Sequence, residues 1–270
     1  MQPTPKSAQN FTPFSRPEVF LPEMTGYGAG KRALDCALAL ALLILTLPLT
    51  LLAMALVKLT SRGPALYSQV RLGRDGKPFH IHKIRTMTAD AETVSGAKWS
   101  TPGDSRITPV GRWLRKTHLD ELPQLWNVLR GDMSMVGPRP ERPEFVPQLV
   151  HALPYYKARL LVRPGVTGLA QVQLPPDTDL GSVRLKLAYD LHYVKTGSIV
   201  LDLKICWATA FHVVGVSFDR IARFFGFIHR GAIEAQYEVL LADSPPRKPR
   251  PSDHHPEILP MTGERQVVHS

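Results

Sequence analysis

Between residues 33 and 57 the chain reads ALDCALALALLILTLPLTLLAMALV, a run of roughly 25 positions whose single charge is Asp35. A helix rising about 1.5 Å per residue over that length reaches across a hydrocarbon layer about 30 Å thick. The pattern therefore predicts a membrane helix. It begins too far from the N-terminus for a secretory signal, and no small-residue cleavage site precedes the basic KLTSRGP that follows. Lys31 and Arg32 stand before the run, and Lys58, Arg62, Arg71 and Arg74 stand after it. Basic residues favour the cytoplasmic side, so a simple span puts one group on the wrong side. Pro48, inside the run, removes a backbone hydrogen bond and bends a helix. Two topologies stay open on these grounds: a re-entrant helix that leaves by the face it entered, or an ordinary kinked span with cations on both sides.

After this run the period changes. ALYSQVRLG and PFHIHKIRTM are short, partly alternating stretches separated by the turn-forming RDGK, which predicts a β-hairpin. It carries Arg71, Arg74, Lys77, Lys83 and Arg85, a row of cations suited to lipid headgroups or a pyrophosphate. A solvated basic face is the plain alternative for any one of them. Further on, a short helix is expected over Pro109 to Lys116, and Leu122, Leu125, Trp126 and Leu129 fall at i, i+3, i+4 and i+7 to form one apolar helix face. Pro123 suits the first turn of that helix and Gly131 its stop. Near the C-terminus one helix is expected to about Lys195, then a Gly197-Ser198 break, then a second amphipathic or largely apolar helix. With IARFFGFIHRGAI that helix suits either the membrane interface or the core of a soluble domain.

These elements predict an α+β protein, mainly helical. They divide the chain into a flexible arm (1–30), the membrane helix (31–60), a larger domain (61–232) and a C-terminal extension (233–270), disordered from about residue 244. No internal repeat is visible. A formal charge of +10 and a pI near 9.8 call for a polyanionic partner: nucleic acid, anionic lipid or a phosphorylated substrate. Cys36 and Cys206 are the two cysteines, too few for a disulfide framework or a cysteine zinc site. His254 and His255 read as part of a solvated tail rather than a metal site.

The stretch RKTHLDELPQLWNVLRGDMSMVGPRP sets Asp120 beside Glu121 at or just before a helix N-terminus. Backbone N–H groups there attract anions. A phosphate held with the help of Arg112 or Arg115 would then face two carboxylates, and a divalent cation would offset the repulsion. One carboxylate could attack phosphorus while its neighbour holds Mg²⁺; a plain helix cap is the alternative. Gly137-Pro138-Arg139-Pro140 forms a stiff turn presenting one guanidinium, and Arg163, before Pro164 and Gly165, offers a second cation. His118, next to the pair, is expected to pack or bond the backbone rather than act as a base.

In these motifs the chain resembles the bacterial sugar transferases, the monotopic polyprenyl-phosphate phosphoglycosyltransferases. KRALDCALAL, the proline-bearing apolar run with the hairpin after it, GRWLRKTHLDELPQLWNVLRGDMSMVGPRP, RPGVTGLAQV and YDLHYVKTGSIVLDLKICWAT stand in family order from residue 31 to about 215. The resemblance implies that Asp120 is the nucleophile and Glu121 the Mg²⁺ ligand. It implies phosphate binding by Arg115 and a substrate-side Pro138-Arg139-Pro140 turn. Lys31 and Arg32 correspond to the basic pair beside the membrane helix, and Pro48 to the proline that makes it re-entrant. Asp190 and Tyr193 correspond to a family Asp and Tyr with a supporting or substrate-contact role. Arg85, Lys83 and Arg163 join the phosphate-binding candidates. With only about 30 residues before the helix, the short form of the family is expected.

The implied reaction moves a sugar 1-phosphate from a UDP-sugar to undecaprenyl phosphate at the cytoplasmic face of the inner membrane, with Mg²⁺ and release of UMP. It implies inner-membrane lipids as partners and no nucleic acid. A membrane-bound Mg²⁺-dependent phosphatase and a non-catalytic lipid-binding scaffold are the competing classes. The sugar, set by a few loop residues around LPPDTDLGS, the pathway and the oligomeric state are not legible in the sequence.

Overall fold

The computed structural model describes residues 27–89, 91, 103–177 and 179–242. The expected disorder after residue 244, the paired histidines and nearly all of the N-terminal arm lie outside these residues. The protein is mostly helical, with two small two-stranded sheets.

Helix α1 (Tyr27–Thr60, 34 residues) is continuous across Pro48. It starts ahead of the boundary expected at residue 31, because Gly28 to Gly30 already lie in the helix. Pro48 has no N–H to give the carbonyl four residues back; beside it Thr46 Oγ1 donates to Leu42 O (2.7 Å) and Thr50 Oγ1 to Thr46 O (2.9 Å). The middle of α1 is bare, with Leu40, Ile44, Leu45, Leu51 and Leu52 exposed. Its two ends are fastened to one and the same polar domain. At the first end Lys31 pairs with Asp202 (2.7 Å), Arg32 donates to the carbonyls of Val128 and Leu129, and Asp35 accepts from Ser134 Oγ (2.7 Å) and Met135 N (3.1 Å). At the other end Ala53 and Val57 pack with Ile84 and Leu114.

The hairpin forms as expected from β1 (Leu66–Leu72) and β2 (Pro78–Ile84), paired antiparallel from Leu66 opposite Ile84 to Leu72 opposite Pro78. Helix α2 (Pro109–Lys116) is capped by Thr108, whose hydroxyl accepts from Gly111 N. Gly111 lies against the Thr86 carbonyl, where a Cβ would come within 2.0 Å of the oxygen, so this contact between α2 and the hairpin requires glycine. A single 3₁₀ turn (Leu119–Glu121) leads into α3 (Gln124–Arg130), which stops at Gly131 in the left-handed region (φ 92°). Pro123 is the residue before α3 rather than in its first turn. Trp126, expected on the buried face of α3, is 52% exposed, because the face turned inward carries Gln124, Leu125, Asn127 and Val128.

Strands β3 (Ser134–Val136) and β4 (Gly165–Thr167) pair in parallel. Around them lie α4 (Val146–Ala152), a 3₁₀ stretch (Tyr156–Leu161), α5 (Leu180–Thr196), α6 (Ile199–Val213), α7 (Phe218–Phe225) and α8 (Arg230–Ala242). The expected break between α5 and α6 is present: Asp179 and Ser182 form a capping box on α5, Gly197 ends it, and Ser198 caps α6. Leu187, Tyr189 and Tyr193 of α5 are buried in the main core with Leu72, Val128, Met133, Ile205, Ile221 and Ile233. The boundary drawn between residues 232 and 233 falls inside α8, whose Ile233 and Tyr237 are buried in that core. Cys36 and Cys206 are free thiols.

Candidate active site

Asp120 and Glu121 occupy the 3₁₀ turn between α2 and α3, so chain connectivity brings the pair to the junction of the two helices, and a tertiary contact through Lys83 brings β2 against it. His118, in the left-handed region (φ 57°), turns the chain out of α2, and its carbonyl accepts from Glu121 N (3.1 Å). Its ring stands edge-on to His212 with centroids 5.8 Å apart.

The two acids have different surroundings. Lys83 Nζ (2.8 Å) and Arg139 Nη2 (2.7 Å) donate to Glu121 Oε1, and Arg139 Nη1 donates to Oε2 (3.3 Å). Asp120 is 7% exposed, and no hydrogen bond to its carboxylate is formed among the described residues. Burial, followed by the charge of Glu121, pushes the Asp120 carboxyl above its ordinary value. Burial acts the same way on Glu121, but the charges and hydrogen bonds of Arg139 and Lys83 outweigh it and hold that carboxyl well below the usual range. Glu121 in turn raises Arg139, while burial lowers Lys83.

Of the sequence-predicted cations, Lys83 and Arg139 reach the pair directly. Arg115 stands close by, its Nε bonded to Thr86 Oγ1 (2.8 Å) and its charge acting on Asp120. Arg85 and Arg163 do not join them. Arg85 donates to the carbonyls of Ser61 and Arg62, tying β2 to the end of α1, because burial of its side chain leaves those carbonyls as its acceptors. Arg163 donates to Gly131 O (3.1 Å), at the far end of α3. Pro138 and Pro140 are buried on either side of exposed Arg139.

Asp190 and Tyr193 stand behind the site. Tyr193 OH donates to Asp202 Oδ1 (2.6 Å) and lies 3.1 Å from Val136 O, linking the Lys31 anchor to β3. Asp190 pairs with Arg159 (2.7 Å), which also donates to Tyr156 OH and, through Nη2, to Arg139 O (2.9 Å). Arg159 was missed in the sequence; a cation in the apolar stretch YYKARLLV was its one signal. No group of three or more metal-ligating side chains occurs among the described residues. Two adjacent carboxylates nevertheless fit Mg²⁺, which is commonly held by one or two carboxylates with phosphate oxygens and water completing the shell.

Residues 26–216 match the family model of the bacterial sugar transferases, and the chain belongs to that family. It is 42% identical over 183 residues to the UDP-N-acetylgalactosamine-undecaprenyl-phosphate N-acetylgalactosaminephosphotransferase of Aeromonas hydrophila, a match covering 68% of this chain and 43% of that protein. It is 48% identical over 183 residues to the UDP-glucose:undecaprenyl-phosphate glucose-1-phosphate transferase of Caulobacter vibrioides, covering 66% of this chain and 67% of the other. With the exopolysaccharide production protein PSS of Rhizobium leguminosarum it shares 41% identity over 194 residues, covering 66% of this chain and 92% of that one. The chain thus spans less than half the length of the Aeromonas relative.

Proposed function

We propose that the protein transfers a sugar 1-phosphate from a UDP-sugar to undecaprenyl phosphate in two steps. The observation that carries this is the division of labour in the pair: a buried carboxylate with no hydrogen bond among the described residues, beside one clamped by two cations. A free carboxylate is the better nucleophile, and the Lys83–Glu121–Arg139 cluster keeps positive charge where a diphosphate would lie. The names of the relatives support both substrates and divide between glucose and N-acetylgalactosamine.

In the first step an Asp120 oxygen forms a bond to the β-phosphorus as the phosphorus–oxygen bond to UMP breaks, and UMP leaves with the electron pair. In the second an oxygen of undecaprenyl phosphate attacks the same phosphorus, and Asp120 leaves as the carboxylate. No water is consumed. Mg²⁺, held by Glu121 with Asp120 alongside, would supply charge neutralisation on the phosphoryl oxygens. Arg139 and Arg115 orient the anionic groups, and the burial of Asp120 keeps water from hydrolysing the intermediate.

The same reading makes α1 re-entrant and puts the catalytic domain on the cytoplasmic face. Both ends of α1 bind one polar domain while its apolar middle, with Pro48, is bare. A helix crossing the bilayer would part those ends. On α6 the exposed Ile199, Val200, Leu203, Trp207 and Phe211 suit the membrane interface. This location holds the site at headgroup depth, where a soluble nucleotide sugar meets a lipid that cannot leave the bilayer.

The test is nucleotide release from a panel of UDP-sugars by detergent-solubilised protein with Mg²⁺, with and without undecaprenyl phosphate. UMP formed by the wild type and not by Asp120→Asn is the expected result. UDP as product would mean ordinary glycosyl transfer, and inorganic phosphate without need of the lipid would mean a phosphatase.

A further inference from the structure

One buried donor near the carboxylate pair has no acceptor. Gln124 is 1% exposed, and its amide nitrogen Nε2 makes no hydrogen bond among the described residues. Buried side-chain amides are nearly always paired, because an unpaired one has given up its water for nothing. An orphan of this kind calls for a partner that is absent from the protein itself.

Its place in the chain says where that partner would lie. The backbone stays right-handed from the Leu119–Glu121 turn through Leu122 (φ −53°, ψ −36°) and Pro123 (φ −61°, ψ −16°) into α3. Gln124 is therefore one helical turn on from the pair, at i+4 from Asp120 and i+3 from Glu121, positions that share a face. Side chains on such a path lean back over the preceding turn, toward its N-terminal end. The preceding turn here is the one that carries both acids. Glu121 already accepts three hydrogen bonds from Lys83 and Arg139, while Asp120 accepts none among the described residues. The side of the pair that lacks donors is the side on which a phosphoryl group would be received.

We propose that Gln124 is a further catalytic residue, its Nε2 donating a hydrogen bond to a non-bridging oxygen of the phosphoryl group while that group is carried on Asp120. The assignment rests on the two-step reading above. Gln124 keeps its proton throughout: the Asp120–phosphorus bond forms, the bond to UMP breaks, and the amide serves only as a neutral donor to the oxygen on which negative charge resides. A neutral donor suits this place. Three cations already act on Asp120, namely Lys83, Arg115 and Arg139, and a fourth would depress the nucleophilicity of the carboxylate, whereas a preorganised amide stabilises the phosphoryl oxygen without doing so.

The experiment uses Gln124→Met, which keeps the volume and deletes the donor. Removing an unpaired buried amide leaves stability unchanged or raises it. The expected result is a melting temperature at or above that of the wild type, together with UMP release slowed by about 10²- to 10³-fold. Gln124→Ala is assayed alongside, with UDP-sugar binding as the check that the site is intact. Wild-type turnover in a folded variant of either kind overturns the assignment. So does a loss of activity that merely tracks a loss of melting temperature in both, since that marks Gln124 as packing. A wild type that releases no UMP from any UDP-sugar removes the two-step reading itself, and this assignment with it.

Discussion

Asp120 and Glu121 are neighbours in sequence whose carboxyls are displaced in opposite directions, and pH tells them apart. Burial and the charge of Glu121 raise Asp120, so its ionised form costs the folded state stability. That cost is absent below the unfolded carboxyl's pKa of about 4 and is complete above the raised folded value. Asp120→Asn should therefore melt higher than the wild type at pH 7, with the gain vanishing below about pH 4, while UMP release falls by about 10⁴-fold or more. Thermal melts across pH beside the nucleotide assay check both halves. Glu121 is lowered by Arg139 and Lys83, so its contribution is present above the unfolded pKa and lost as pH falls through the folded one. Glu121→Gln should melt lower at neutral pH, by about 1–3 kcal/mol of stability, since Lys83 and Arg139 lose their shared acceptor. The pair was legible in the sequence as a candidate, because two acids stand side by side before a helix and the resemblance assigns both of them roles. Which cations serve it was legible only in part: Lys83 and Arg139 reach Glu121, whereas Arg85 and Arg163 are bonded to carbonyls elsewhere.

At the scale of elements, the turn bearing Arg139 is set from behind. The 3₁₀ stretch Tyr156–Leu161 and helix α5 supply Arg159, Tyr156 and Asp190, and Arg159 holds the Arg139 carbonyl. If the cluster works by aiming Arg139, its effect must pass through that residue. Arg159→Met should slow turnover by about 10²-fold, the cost of a displacement of about 1 Å at a reacting site. In an Arg139→Ala background the same change should cost almost nothing more, and a double-mutant cycle on kcat/KM reads the difference. Additive losses would mean that the cluster only supports the fold. The hairpin, α2, and the α5–α6 break were predictable from local signals: alternation around RDGK, a short helical stretch opening at Pro109, and a Gly-Ser stop. The exposure of Trp126 was not, because apolar spacing identifies a stripe without saying which edge of it another element will cover.

On the scale of the whole molecule, the apolar segment and the domain that follows it form one body joined at two places. Lys31, Arg32 and Asp35 hold one end of α1, and Arg85 with the Ala53–Val57 contacts holds the other. A re-entrant helix leaves both of these ends on the same side of the membrane. In a cysteine-free background, Gly28→Cys and Ser61→Cys should both resist a membrane-impermeant maleimide added to intact cells and both react in inverted vesicles. Labelling of one alone from outside would establish a span. Sequence by itself determined the long apolar segment, the order of elements and the candidate carboxylate pair, because hydrophobic length, turn chemistry and adjacency are local properties of a chain. The tertiary structure decided which cations meet Glu121, that Asp120 is left without a hydrogen bond among the described residues, and that both ends of α1 return to one domain. Those depend on contacts between residues as far apart as Lys31 and Asp202, and no local pattern encodes where a side chain's partner will be once the core has closed.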